Sequence, residues 1–272
     1  MQYKNKATST HPAFVVFLID ISASMNEKMP DGRTRIRVVE SFLYETIQSM
    51  SHRSTNQNVF KPRYKVSLLA YSELFWNVWT KPIDEIMVDD IPEFETQTAT
   101  DPANAFRAAK LVIEDEISTW SDYYLEKCPA PMVIHITDAE LKEEFEDPTI
   151  AAKELMSVQV PDGKVLVNNI FISRYIKPPK QSVKKWPGYF PEDTTGDPFG
   201  DILLRISSPV PVPYILECKT KEIGLLPGSV FLFPGINNDF IRAGFVMSEG
   251  TEELPRPTVP EPRLQRGLNG NN

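Results

Sequence analysis

Short apolar runs of strand length alternate along this chain with stripes spaced for helices, and that alternation constrains the fold more than any other feature. Ala13 to Ile19 is an unbroken apolar run, as expected of a strand buried on both faces. Ile36, Val39, Leu43, Ile47 and Met50 then recur at steps of 3, 4, 4 and 3, one stripe of an amphipathic helix. Tyr64 to Tyr71 and Leu74 to Thr80 read as strands parted by Ser72-Glu73, placed as a hairpin at a sheet edge. Asp101 is an N-cap and Pro102 the first helical position of a second helix. Its Phe106, Ala109, Ile113, Ile117 and Trp120 repeat the same spacing. Met132 to Ile136 is another core strand, Asp147-Pro148 opens a helix through about Val158, and 164 to 173 is the next strand. Such alternation predicts a doubly wound α/β fold: a mostly parallel central sheet, helices on both faces and one antiparallel edge strand.

One domain is expected over 13–247, between a loose polar segment 1–12 and a tail at 248–272 whose prolines and glycines show no apolar period. Within it, 198–208, 213–223 and 236–247 look helical and 229–233 looks like a strand. Residues 176–198 break the rhythm with five prolines and Lys177, Lys180, Lys184 and Lys185, and carry Trp186, Tyr189 and Phe190. A long segment of this kind is either an insertion packed down on the domain or a partner-docking loop.

The first strand ends in Asp20-Ile21-Ser22-Ala23-Ser24, a carboxylate and two hydroxyls at alternate positions. Hard divalent ions prefer oxygen ligands, although Asp and Ser also populate ordinary turns. A second core strand ends in Thr137-Asp138, and Thr96-Gln97-Thr98-Ala99-Thr100-Asp101-Pro102 leads into a helix. In an open α/β sheet, loops after neighbouring strands converge where strand order reverses, so three segments can bring five oxygen-bearing side chains to one ion.

These residues resemble the von Willebrand factor A (VWA) family and its metal-ion-dependent adhesion site. The resemblance implies that Ser22, Ser24 and Thr100 are hydroxyl ligands of a divalent ion, with Asp20 and Asp138 holding it largely through waters. Thr98 is the alternative to Thr100. The ion implied is Mg²⁺, with Mn²⁺ or Ca²⁺ as substitutes. The family has glycine where this chain has Ala23, Thr98-Ala99 and Ala139. Glycine serves positive φ or close approach, so these loops are expected to differ in shape or the metal to bind less tightly. The stretches Gly196-Asp197-Pro198, Arg205 to Pro211 and Pro227 to Phe231 are similar to bacterial cytoplasmic TerY-like proteins associated with tellurium resistance. That likeness implies a stress-response or defence setting, with a co-encoded protein kinase or PP2C-type phosphatase as partner.

Net charge is 29 minus 37, or −8, which argues against nucleic-acid binding through phosphate neutralisation. Cys128 and Cys218 stand far apart, outside any disulfide or zinc spacing. The seven-residue apolar run before Asp20 is too short to span a membrane, and a cytoplasmic location is expected.

The expected function is divalent-metal-dependent protein binding, in which an open coordination position takes a partner's Asp or Glu. The alternatives are a metal-assisted hydrolase and a structural interaction module with a vestigial site. Hydrolysis needs a general base. Of the three histidines, His11 is in the leading segment, His52 follows the first helix and His135 lies inside a strand as a core residue. No G-x-x-x-x-G-K-[ST], G-x-S-x-G or H-E-x-x-H occurs, so the chain reads as a non-enzyme. The acidic clusters 114–116 and 140–147 read as solvated faces, the second close enough to Asp138 to act around it.

Overall fold

The strand expected from Ala13 to Ile19 sits at the middle of the molecule. In the computed structural model, which describes residues 2–56, 59–138 and 146–250, β1 (Ala13–Asp20) is buried at all eight positions. It is flanked on one side by β2 (Tyr64–Tyr71) and β3 (Phe75–Pro82) and on the other by β4 (Met132–Thr137), β5 (Leu166–Phe171) and β6 (Leu232–Pro234). The sheet order is β6-β5-β4-β1-β2-β3. Every neighbouring pair is parallel except β2 with β3, which form the antiparallel edge. A strand covered on both faces has no solvent side, which is why β1 carries apolar residues from Ala13 to Ile19 without alternation.

The covering helices are α1 (Arg35–Arg53), α2 (Pro102–Ser118), α3 (Asp122–Lys127), α4 (Thr149–Ser157), α5 (Pro198–Arg205), α6 (Val212–Thr220) and α7 (Asn238–Val246). α1 packs with α7, and α2 with α4, giving the doubly wound α/β architecture anticipated above. The chain leaves β1 toward β2 on one side and returns through α2 to β4 on the other. Strand order therefore reverses between β1 and β4, and the carboxyl ends of those two strands open the crevice where such folds bind ligands.

Several boundaries move, each for a local reason. α5 stops at Arg205 because Ser208 turns back to donate its N–H to Val167 O at 3.0 Å. α6 ends at Thr220, and α7 begins at Asn238, where the Asn237 side chain accepts from the Phe240 N–H. Val230 bridges to Tyr189 and Pro209 and precedes the short strand β6. α3, capped by Ser121, had no signal in the apolar pattern. His52 lies in the last turn of α1 and not beyond it.

The segment before β1 is tied down instead of loose. Asp162 Oδ1 accepts the N–H groups of Lys4 and Asn5 at 2.9 and 3.0 Å, and His11 is buried against Tyr123 and Tyr124. The insertion at 176–198 is packed down: Trp186 is 4% exposed and meets Tyr189, Phe233 and Phe240 edge-on. Its Trp and Tyr rings serve the core, which removes them from any partner surface, while its four lysines and several other residues, Pro178 among them, face outward. Residues 251–272, most of the expected tail, lie outside the described residues. Among the described residues no helix is long and apolar enough to cross a membrane, and Cys128 and Cys218 are free and buried.

Candidate metal centre

Asp20 is the last residue of β1 and faces Tyr71 in the parallel register with β2. Its Oδ1 accepts the Ser22 N–H at 2.8 Å, which curls the chain into a short 3₁₀ turn from Ala23 to Asn26. That turn brings the Ser22 and Ser24 hydroxyls to 3.1 Å from each other. Ser24 Oγ donates to Asp138 Oδ1 at 2.7 Å, linking the end of β1 to the residue that follows β4.

The loop carrying Thr100 is fastened at both ends by backbone. Gln97 N–H donates to Ile21 O at 2.6 Å, and Asp101 N–H to Ser72 O at 2.8 Å. Asp101 then caps α2, accepting the Asn104 N–H at 3.0 Å. Held this way, Thr100 is buried and its hydroxyl donates to Asp20 Oδ2 at 3.3 Å. Thr98 is exposed on the wall of the cleft, so between the two threonines the geometry favours Thr100. All five expected side chains, Asp20, Ser22, Ser24, Thr100 and Asp138, are thus gathered at one crevice.

The oxygen spacing suits a small hard cation. In an octahedron with metal–oxygen distances of about 2.1 Å, adjacent oxygens stand about 3 Å apart. Ser22–Ser24, Ser24–Asp138 and Thr100–Asp20 are 3.1, 2.7 and 3.3 Å. No group of three or more His, Cys, Asp or Glu side chains converges among the described residues. The donor set is instead two carboxylates and three neutral hydroxyls, a hard set suited to Mg²⁺ or Mn²⁺.

Ala23 and Ala99 do not need to be glycine. Neither is among the residues with positive φ, so the loops reach this geometry with ordinary backbone. Ala139 lies outside the described residues, as do 140–145 of the second acidic cluster. Glu146 pairs with Arg107, and Asp147 accepts the Thr149 N–H.

Four participants were not singled out by motif reasoning. Thr137 Oγ1 donates to Asp20 Oδ2 at 2.7 Å; its place beside Asp138 at a strand end is the only signal. Arg35, from the first turn of α1, places Nη1 2.5 Å from Asp138 Oδ2 and 3.2 Å from Ser24 O, while Nη2 reaches Glu27 at 2.9 Å. Arg174 and Tyr175, just beyond β5, complete the rim of a cleft of about 360 Å³. No spacing in the chain announces the last three, because they arrive from other segments.

The charges are unusual for their depth. Burial first, then the neighbouring Asp138 charge, pushes the Asp20 carboxyl up to about 7, against the pull of hydrogen bonds from Thr137 and Ser22. Asp138 is also raised by burial, with Arg35 opposing. Beneath them runs a polar chain. His135 Nδ1 faces Asn169 Oδ1 at 2.7 Å, an acceptor, so it carries the proton. Nε2 therefore accepts from the Tyr71 hydroxyl at 2.7 Å. Burial lowers His135 to about 4, which makes it a neutral, satisfied core residue.

Solved structures share this fold. The pilus adhesin SpaC from Lactobacillus rhamnosus GG matches 90% of this chain and 31% of its own, with 12% identity and a TM-score of 0.55. Proximal thread matrix protein 1 from the mussel byssus, solved with a zinc-occupied MIDAS motif, matches 89% of this chain and 47% of its own, with 11% identity and a TM-score of 0.51. The chain spans less than half the length of either protein. No family model and no curated protein sequence matches it.

Proposed function

We propose that this chain is a divalent-metal-dependent protein-binding module. Asp20, Ser22, Ser24, Thr100 and Asp138 hold Mg²⁺ or Mn²⁺, and a partner's carboxylate completes the coordination. The observation that carries the reading is the run of oxygen contacts from Ser22 through Ser24 to Asp138, with Thr100 on Asp20, at octahedral-edge spacing and at the strand-order reversal. The ion would supply the positive charge that two buried carboxylates call for, and with Asp20 and Asp138 acting largely through waters the three direct hydroxyl ligands are neutral, which leaves the ion attractive to an incoming anion.

Binding is proposed over catalysis. His135 is locked in the core, His11 packs against Tyr123 and Tyr124, and His52 lies in the last turn of α1, so no imidazole reaches the cleft as a base. A bacterial stress-response role in the cytoplasm, with a co-encoded kinase or phosphatase as partner, is the finer form of the proposal and rests on the TerY-like stretches. The Arg35–Asp138 ion pair favours one second reading, a structural site whose permanent cation is the guanidinium. Calorimetric titration with Mg²⁺ or Mn²⁺ separates the two: binding heat that vanishes in Asp20→Ala is expected, and a wild-type protein without heat leaves the structural reading.

A further inference from the structure

The cleft over the oxygen cluster continues into a second hollow of about 280 Å³, which shares Arg35, Ser173 and Arg174 with it. Beyond those three the lining turns apolar, with Met29, Ile172, Ile176, Pro178 and Ile236. The wall between the two is rigidly built. Asp197, the buried cap of α5, receives the Ser173 hydroxyl at 3.0 Å, and Ser173 Oγ in turn accepts the Tyr175 N–H at 3.1 Å. Gly235 lies so close to Ile172 that an added Cβ would sit 2.9 Å from the Ile172 Cα. The floor of the apolar hollow thus requires glycine there.

Charge marks what approaches. The Arg174 side chain is 65% exposed, with its guanidinium over the Tyr175 ring at 4.9 Å and 4.0 Å from Glu27. Exposed Lys28 stands on the outer lip of the apolar hollow. An otherwise acidic protein of net charge −8 therefore presents cations around an apolar hollow that adjoins its metal cleft.

We propose that the two hollows are one docking surface for an acidic peptide segment of a partner protein. One carboxylate of the segment reaches the metal, an apolar side chain close by in sequence enters the hollow between Met29 and Ile236, and Arg174 and Lys28 face its further acidic groups. This rests on the metal-dependent reading above. In an extended segment, side chains two residues apart point the same way at a separation of about 7 Å, a step that suits adjoining hollows. The site is held ready by Asp197 and Gly235, so little ordering is needed on the receiving side.

The test is a selection of short random peptides on the immobilised full chain in Mg²⁺, with elution by EDTA. The expected sequences combine Asp or Glu with Leu, Ile, Met, Val or Phe within a few positions. For a selected peptide, Ile236→Ser is expected to weaken binding roughly tenfold, the scale of one buried aliphatic side chain, with unchanged Mg²⁺ affinity and some loss of melting temperature, since Ile236 also packs on the core. Pro178→Asp, at the exposed lip, is expected to act likewise without touching the core, and Arg174→Glu to weaken binding and its salt dependence. Mg²⁺ binding with EDTA-eluted peptides that share only an acidic residue, or that ignore both Ile236→Ser and Pro178→Asp, overturns this proposal alone. Mg²⁺-dependent self-association lost in Ile236→Ser makes a second copy the occupant and also overturns it. A wild type that binds no Mg²⁺ overturns the metal reading itself.

Discussion

Arg35 Nη1 stands 2.5 Å from Asp138 Oδ2, in a pair whose side chains are 9% and 0% exposed. A guanidinium from the start of α1 therefore already partners a carboxylate that a metal ion would also draw on. The two oxygens of Asp138 divide the work, Oδ1 toward Ser24 and Oδ2 toward Arg35. The metal and the arginine need not exclude each other, but they act on the same charge.

Arg35→Met is expected to lower stability in EDTA by about 3 kcal/mol, the scale of removing one partner from a buried ion pair. In Mg²⁺ the loss should shrink, because the ion supplies part of the missing charge. Urea denaturation in both conditions measures this; an equal loss in each would show that guanidinium and metal do not share Asp138.

The raised Asp20 carboxyl gives a signed pH dependence. With a folded value of about 7 against an ordinary unfolded value near 3.9, the native state binds more protons between them. The Asp20 contribution is present below about pH 4 and lost as pH rises toward 7, at no more than about 1.4 kcal/mol per unit. His135, depressed to about 4, works in the opposite sense between about 4 and its unfolded value near 6.5. The informative quantity is the difference between wild type and Asp20→Asn. In EDTA the variant should gain on wild type as pH rises to 8, and Mg²⁺ should erase that gain; a pH-independent difference would refute the shift.

Ligand roles are separable by isosteric substitution. Ser24→Ala and Thr100→Val are each expected to weaken Mg²⁺ binding tenfold or more, about 1.4 kcal/mol, in calorimetric titration. Thr98→Val, on the exposed wall, should change it little. Equal effects from Thr98→Val and Thr100→Val would place the wrong threonine at the ion.

Tyr71→Phe leaves His135 Nε2 as a buried acceptor without its donor. The expected cost is about 1–3 kcal/mol, read by chemical denaturation. A change below about 0.5 kcal/mol would mean that the chain through Tyr71, His135 and Asn169 is not what holds the imidazole in its tautomer.

Much of this protein was legible in the chain because periodicity is local. The run from Ala13 to Ile19 had to be an interior strand, and the 3, 4, 4, 3 spacing after Ile36 and Phe106 had to be helix faces. Asp101-Pro102 marks a helix start that the structure reproduces at the same residue. The Asp20, Ser22, Ser24 array and the Asp138 strand end could be named as site residues since each closes an apolar run. The alanines at family glycine positions suggested altered loops, yet Ala23 and Ala99 keep ordinary φ, because whether a turn needs glycine depends on its dihedrals and not on its place in a motif.

Tertiary structure decided what shares a space. Arg35 and Asp138 are separated by 103 residues, and no local pattern links a residue in the first turn of α1 to the end of β4. Trp186 and Tyr189 look like recognition residues in a proline-rich segment, yet the core had room for them and burial outweighed exposure. Strand order is likewise nonlocal: the alternation of strands and helices specifies a doubly wound sheet, while the reversal between β1 and β4 alone brings Asp20 and Asp138 together. The sequence by itself determined the elements and the chemistry at their ends. Only packing determined which ends meet, how deeply their charges are buried, and which cation from elsewhere in the chain faces them.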